Sequence, residues 1–285
     1  MPLSYRLEDY ARYRQRVGDA TYLDLTRRTD PARIPQVWDH LREVVDAHGP
    51  PWVLQLWTKD AAGVLRRGEA DLRHLRDAGA TITLQLTVTG LAGTAWEPLV
   101  PPDGLRHAGP LTDLIGGPDH VTWRYDPIIP TEHDAGRYRR LAAEAAGLGI
   151  RRGVINFVAP PGRYRRVDRR IAPLLPGWAE GTLDGVQRYD AAWQQGVARE
   201  LVALAGEAGI SLACCAESAP LAGLVPGLGR AACGDHAWFA ALSGRNPPSA
   251  KGRGSRSGCG CAPYFDLGNY GSWSRCHRCA YCYAG

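Results

Sequence analysis

Three thiols with the spacing of a metal centre stand near the C-terminus. Cys276, Cys279 and Cys282 read C-x2-C-x2-C, and five of the eight cysteines lie at or beyond Cys259. The spacing matches the first part of the bacterial ferredoxin run, in which tight turns aim successive thiolates at an iron–sulfur cube. No fourth cysteine follows Cys282. Either one iron stays open, or Cys259 or Cys261 closes the site from upstream. A 4Fe–4S cluster is therefore the first expectation. A tetrahedral zinc site built from Cys259 or Cys261 with Cys276 and Cys279 competes, although its upstream half would be C-x-C where zinc usually takes a second C-x2-C. A disulfide framework belongs to short secreted chains and fits poorly here.

The elements that would position these thiols follow from the apolar runs. Runs beginning near residues 21, 52, 81, 120, 153 and 210 read as strands, each ending at polar or Pro/Gly punctuation. Between them lie helical stretches. Asp30-Pro31 reads as an N-cap and first helical residue, opening a helix through about His48. Others are expected over 68–78, 133–147 and 183–208, with a Gly/Pro-rich loop over 91–109. Strand–helix alternation at this length gives parallel units with right-handed crossovers. The fold class is α/β: a parallel (β/α) barrel, full or partial, of six or more strands, with a C-terminal cysteine-rich tail. A doubly wound sheet is the alternative, but no G-x-G-x-x-G follows the first strand. Residues 1–248 form the expected barrel. The Ser/Gly/Arg-rich stretch 249–258 reads as a linker, making 249–285 the cluster-binding segment packed on it.

Chemistry in such barrels gathers where the strands end. Arg27, Lys59, Arg124, Asp126 and Glu217 stand at those ends and are the candidate catalytic groups. Arg28, Asp30, Thr87 and Asn156 stand beside them as candidate cofactor-binding groups. Arginines and Lys59, with the basic run 163–170, outnumber the acids expected at that mouth, which predicts a small anionic substrate gripped through charge-assisted bonds. His40, His74 and His107 read as surface residues, and Cys214 and Cys215 as small core hydrophobes. Cys233 is ambiguous, and His277 is either a donor behind the thiols or a surface group.

Composition excludes little but narrows the class. The chain has 285 residues, 45% hydrophobic and 22% charged, which suits a globular protein with a real core. A formal net charge of +5 does not demand nucleic acid. No run reaches the length of a membrane span, the first residues lack a signal-peptide core, and clustered cysteines suit a reducing cytoplasm.

Taken together, Arg27-Arg28-Thr29-Asp30, Trp57-Thr58-Lys59, Trp123 to Ile128, Cys214 to Glu217 and the ending from Cys259 to Ala284 resemble a domain-of-unknown-function family of barrel proteins. Its members carry a C-terminal cysteine motif similar to that of radical S-adenosylmethionine enzymes. The family ending is C-x3-C-x-Tyr-C, whereas this chain has one residue fewer before Cys279, with Trp273 near the place of the first cysteine. The resemblance implies a 4Fe–4S cluster on Cys276, Cys279 and Cys282, flanked by Tyr281 and Tyr283 as cofactor-binding groups. S-adenosylmethionine would chelate the open iron. An external electron donor would then drive cleavage to a 5′-deoxyadenosyl or a 3-amino-3-carboxypropyl radical. The other expectation is a redox or structural protein whose tail holds a four-cysteine cluster or zinc.

Overall fold

The computed structural model describes residues 5–102, 104–178, 182–183, 187–188, 190–214, 216–246, 260–268 and 273–284, without the side chains of 182, 183, 187, 188, 216, 217 and 273. Cys215, Cys259 and the 249–258 linker lie outside the described residues, as does the side chain of Glu217. Eight strands form one parallel sheet: β1 (Tyr22–Leu25), β2 (Val53–Thr58), β3 (Thr81–Thr87), β4 (Val121–Ile128), β5 (Arg152–Phe157), β8 (Ser211–Cys214), β9 (Gly229–Arg230) and β10 (Phe265–Asp266). A separate ribbon pairs β6 (Thr182–Leu183) with β7 (Gln187–Arg188). The sheet order is β10-β1-β2-β3-β4-β5-β8-β9. Its two ends meet just outside the edge strands, where Ala262 N–H donates to Gly234 O at 2.8 Å. The fold is thus an α/β barrel, full or partial, whose edge strands β9 and β10 are bridged by this one backbone hydrogen bond between their flanking residues.

Helices α1 (Leu7–Val17), α2 (Gln36–His48), α3 (Ala61–Asp77), α4 (Gly109–Ile115), α5 (Ala135–Gly147), α6 (Arg165–Ile171), α7 (Ala191–Glu207) and α8 (His236–Ser243) complete the chain. Among the described residues no helix is long and apolar enough to cross a membrane.

The strands carry their own inside and outside. Successive side chains of a strand point to opposite faces. Leu54 and Leu56 of β2, Ile82, Leu84 and Leu86 of β3, and Trp123 and Tyr125 of β4 join the large core beneath the helices. The alternate residues, Gln55, Thr83, Gln85 and Arg124, are polar yet buried, and they hydrogen-bond one another inside the barrel. Register aligns Asp24 with Gln55 and Gln55 with Thr83. A polar lumen wrapped in an apolar shell is the frame for the site.

Three helix starts differ from the sequence expectation. α2 begins at Gln36, because the Asp30 carboxylate turns inward after accepting from Ala32 N–H at 2.9 Å. α3 begins at Ala61, since Asp60 caps it through Gly63 N–H at 2.7 Å. α7 begins at Ala191 behind its cap Asp190, later than residue 183. The segment 260–268 is itself a stave of the barrel.

Candidate active site

A cleft of about 500 Å³ opens where β1 to β5 end, and the loop carrying Cys276, Cys279 and Cys282 forms one of its walls. That loop is bound by ordinary protein contacts. His277 is 2% exposed; its Nδ1 lies 3.0 Å from Leu99 O and its Nε2 lies 2.8 Å from Asp30 Oδ2. Both ring nitrogens face acceptors, so both donate, and the ring is an imidazolium paired with Asp30. Burial alone would lower its pKa, but the Asp30 charge and hydrogen bond outweigh it and hold it above the usual value. Asp30 is shifted the opposite way: burial is overcome by His277 and by donation from Lys59 N–H and Thr58, and its carboxyl sits low. Ala280 N–H donates to Trp96 O at 3.0 Å, and Arg170 donates to the carbonyls of Ala280 and Cys282. One arginine of the basic run 163–170 is therefore a clamp on this loop.

The donor set suits a cofactor built on sulfur ligands. Cys276 Sγ accepts from Asp30 N–H at 3.4 Å. Burial pushes Cys276 up to about 11 and Cys279 up to about 12, so both hold their protons until a cation replaces them. Among the described residues no three His, Cys, Asp or Glu side chains close around one point as a lone ion requires. The three sulfurs border the cleft.

Two buried polar groups complete the mouth. Glu97 is 1% exposed and accepts from Lys59 Nζ at 2.9 Å, from Thr89 Oγ1 at 2.8 Å and from the Tyr281 hydroxyl. Burial opposes the Glu97 charge, and Lys59 overcomes it, holding the carboxyl low. Arg124 is paired with Asp126 and donates to Gln85 Oε1 and Cys233 Sγ, each at 3.3 Å. Asn156 Nδ2 donates to Asp126 Oδ2 at 3.1 Å. Arg27, paired with Asp24, lies over the rings of Tyr264 (3.8 Å) and Trp57 (4.9 Å).

Arg27, Arg28, Lys59, Arg124, Asp126, Asp30, Thr87, Asn156, Tyr281, Tyr283 and the three loop cysteines all line this one cleft. Glu217 follows β8, with its side chain outside the description. Four of the cations at this mouth have an acid beside them. Arg27 faces Asp24, Arg28 faces Asp266, Lys59 faces Glu97 and Arg124 faces Asp126. Those acids were hidden inside a strand, inside a Gly/Pro-rich loop or beyond the linker, apart from Asp126. His40 also departs from a surface role, since its Nδ1 lies 3.0 Å from Leu267 O. Cys261 sits against Cys233 and not among the loop cysteines. Asp24, Glu97, Cys233 and His277 are the site residues that sequence reasoning missed or left undecided. Asp24 carried a signal as an acid in an otherwise apolar strand, and His277 carried one in its place between Cys276 and Cys279.

No curated protein matches this chain. Among solved structures, the carboxyl transferase domain of Rhizobium etli pyruvate carboxylase, with 3-hydroxypyruvate, is similar at 15% identity and a TM-score of 0.26. The alignment covers 83% of this chain and 48% of that one, so the chain spans about half its length, and so low a score carries no argument. The model of the domain of unknown function DUF1848 matches residues 42–284, and the chain belongs to that family.

Proposed function

We propose that this protein is an iron–sulfur enzyme of an atypical radical S-adenosylmethionine type, acting on a small molecule held in the barrel mouth. The observation that carries the reading is the shared cleft: three thiols of one loop, Cys279 buried and Cys276 and Cys282 half-buried, border the same space as the strand-end polar groups of β1 to β5. Cys276, Cys279 and Cys282 would hold a 4Fe–4S cluster. When bound and reduced by an external donor, such a cluster supplies the electron that cleaves a sulfonium carbon–sulfur bond.

The chain's own residues have definable tasks. Asp30 N–H donates to Cys276 Sγ, and such donors stabilise charge on a ligating sulfur. His277, pinned between Asp30 and Leu99, fixes the loop that presents the thiols. Arg124, Asp126 and Asn156 form a braced polar floor able to orient a small ligand. Glu97 holds Lys59 and the Tyr281 hydroxyl beside Cys279. A purely structural staple has less support, because protein hydrogen bonds already fasten this loop at His277, Ala280 and Cys282.

The test is anaerobic reconstitution with iron and sulfide, followed by electron paramagnetic resonance of the reduced protein with and without S-adenosylmethionine. Cys276→Ala, Cys279→Ala and Cys282→Ala should each lose the 4Fe–4S species, whereas Cys261→Ala should retain it. Addition of S-adenosylmethionine should change the spectrum. Stoichiometric zinc in place of iron, or a cluster blind to S-adenosylmethionine, removes the proposal.

A further inference from the structure

Two more thiols, Cys233 and Cys261, line the same cleft. Cys233 follows β9 and Cys261 precedes β10, so both stand on the seam that closes the barrel. Each is 7% exposed, and the Cys261 side chain is hydrogen-bonded to Cys233. The backbone holds them together: Ala262 N–H donates to Gly234 O at 2.8 Å, and Gly234 N–H donates to Cys261 Sγ at 3.5 Å. The side-chain hydrogen bond already brings the two sulfurs together, as closure of a disulfide requires.

The charges around the pair decide its chemistry. Arg124 Nη1 donates to Cys233 Sγ at 3.3 Å, and the Arg27 guanidinium acts on both sulfurs. The bond to Cys233 and burial push the Cys261 thiol well up, so Cys261 keeps its proton, whereas the guanidinium groups beside Cys233 favour a thiolate there and repel a metal cation. We propose that Cys233 and Cys261 form a redox-active dithiol that exchanges with low-molecular-weight disulfides entering through the cleft. The Cys233 thiolate, held by Arg124, attacks one sulfur of the small disulfide; that bond breaks and one thiolate leaves, taking up a proton. Cys261 then gives up its proton and attacks the Cys233 sulfur. The Cys233–Cys261 bond forms, and the second small thiol departs. Two electrons pass from the pair to the small disulfide, which becomes two thiols, and a small dithiol reverses the exchange. None of these steps depends on the loop cysteines or on iron.

The experiment uses the full chain under argon, equilibrated with graded ratios of reduced and oxidised dithiothreitol, acid-quenched, alkylated and digested with trypsin. The arginines place Cys233 in one peptide, Cys261 with Cys259 in a second, and Cys276 apart from Cys279 and Cys282. A cross-link joining the first two peptides, formed and lost with the ratio, is the expected result. Cys261→Ser should abolish it and leave Cys233 as a stable mixed disulfide in oxidised glutathione. Arg124→Gln should slow alkylation of Cys233 about tenfold through loss of a charge-assisted hydrogen bond. No cross-link at any ratio overturns the proposal. So does a cross-link that survives Cys261→Ser or that joins Cys233 to a loop cysteine. Iron and sulfide, measured on the same samples, report separately on the cluster.

Discussion

Replacing Asp30 with alanine should be among the most damaging single changes available to this chain. The carboxylate accepts from Ala32 N–H (2.9 Å), Thr58 Oγ1 (2.7 Å), Lys59 N–H (2.7 Å) and His277 Nε2 (2.8 Å). It thereby ties the turn after β1, the end of β2 and the cysteine loop to one point. Asp30→Ala strands a buried imidazolium and three buried donors, and breaking a buried ion pair costs about 3–5 kcal/mol. Whole domains are stable by only about 5–15 kcal/mol. His277→Ala should cost less, about 1.5–3 kcal/mol, because three donors still satisfy the carboxylate. Asp30→Ala/His277→Ala should then cost little more than Asp30→Ala alone, giving a coupling of about 1–3 kcal/mol. Urea unfolding of the four proteins, at unchanged slope, measures these values. Hydrogen exchange at Ala280, whose N–H reaches Trp96 O, reports whether the loop has come undone. An Asp30→Ala change within about 1 kcal/mol of the parent, or strict additivity in the double variant, refutes the reasoning.

Other expectations are as concrete. Asp24 is pushed up to about 6, chiefly by burial and against Arg27, whereas an unfolded aspartate titrates near about 3.9. The folded chain therefore holds that proton more tightly. Its contribution to stability is full below about pH 4 and is lost as pH rises through about 6, by something on the order of 3 kcal/mol; Asp24→Asn should flatten that stretch of a pH–stability curve. Gly68→Ala would gain about 1 kcal/mol in an open helix. Here the new methyl meets the Trp38 ring, so calorimetry should show a net loss of about 1–3 kcal/mol. Lys59→Met leaves Glu97 buried without its cation and should cost about 3–5 kcal/mol in urea unfolding, most of which Lys59→Met/Glu97→Leu restores.

The barrel was legible because each of its long strands alternates. β2 reads Val-Leu-Gln-Leu-Trp-Thr, with leucines outward to the helices and Gln55 and Trp57 inward. That period of two locates strands and also sorts shell from lumen. β9 and β10 were not legible, since two residues carry no period and their membership in the sheet comes from partners far along the chain. Asp30-Pro31 has the chemistry of a helix start, but three long-range donors claim the carboxylate more strongly than a helix end does. Glu97 lies in a stretch that reads as plain loop. Only the folded chain brings Lys59 and Tyr281 to it, from 38 and 184 residues away. Local sequence reveals which residues could do chemistry, and pairing across the barrel decides which are already engaged.

The seam between Gly234 and Ala262 bears on how the protein is made. The stave Phe265–Asp266 pairs with the first, Tyr22–Leu25, so β1 has no second neighbour until residues 265–266 have been synthesised, some 240 residues later. Pairings of such long sequence separation form slowly, and an unpaired strand edge invites association with other chains. A nascent chain arrested after β9 would lack its final stave and the three loop thiols at once. Barrel closure and delivery of those thiols thus arrive with the same stretch of polypeptide. Products terminated before β10 would expose the bare edge of β1 to chaperones and proteases.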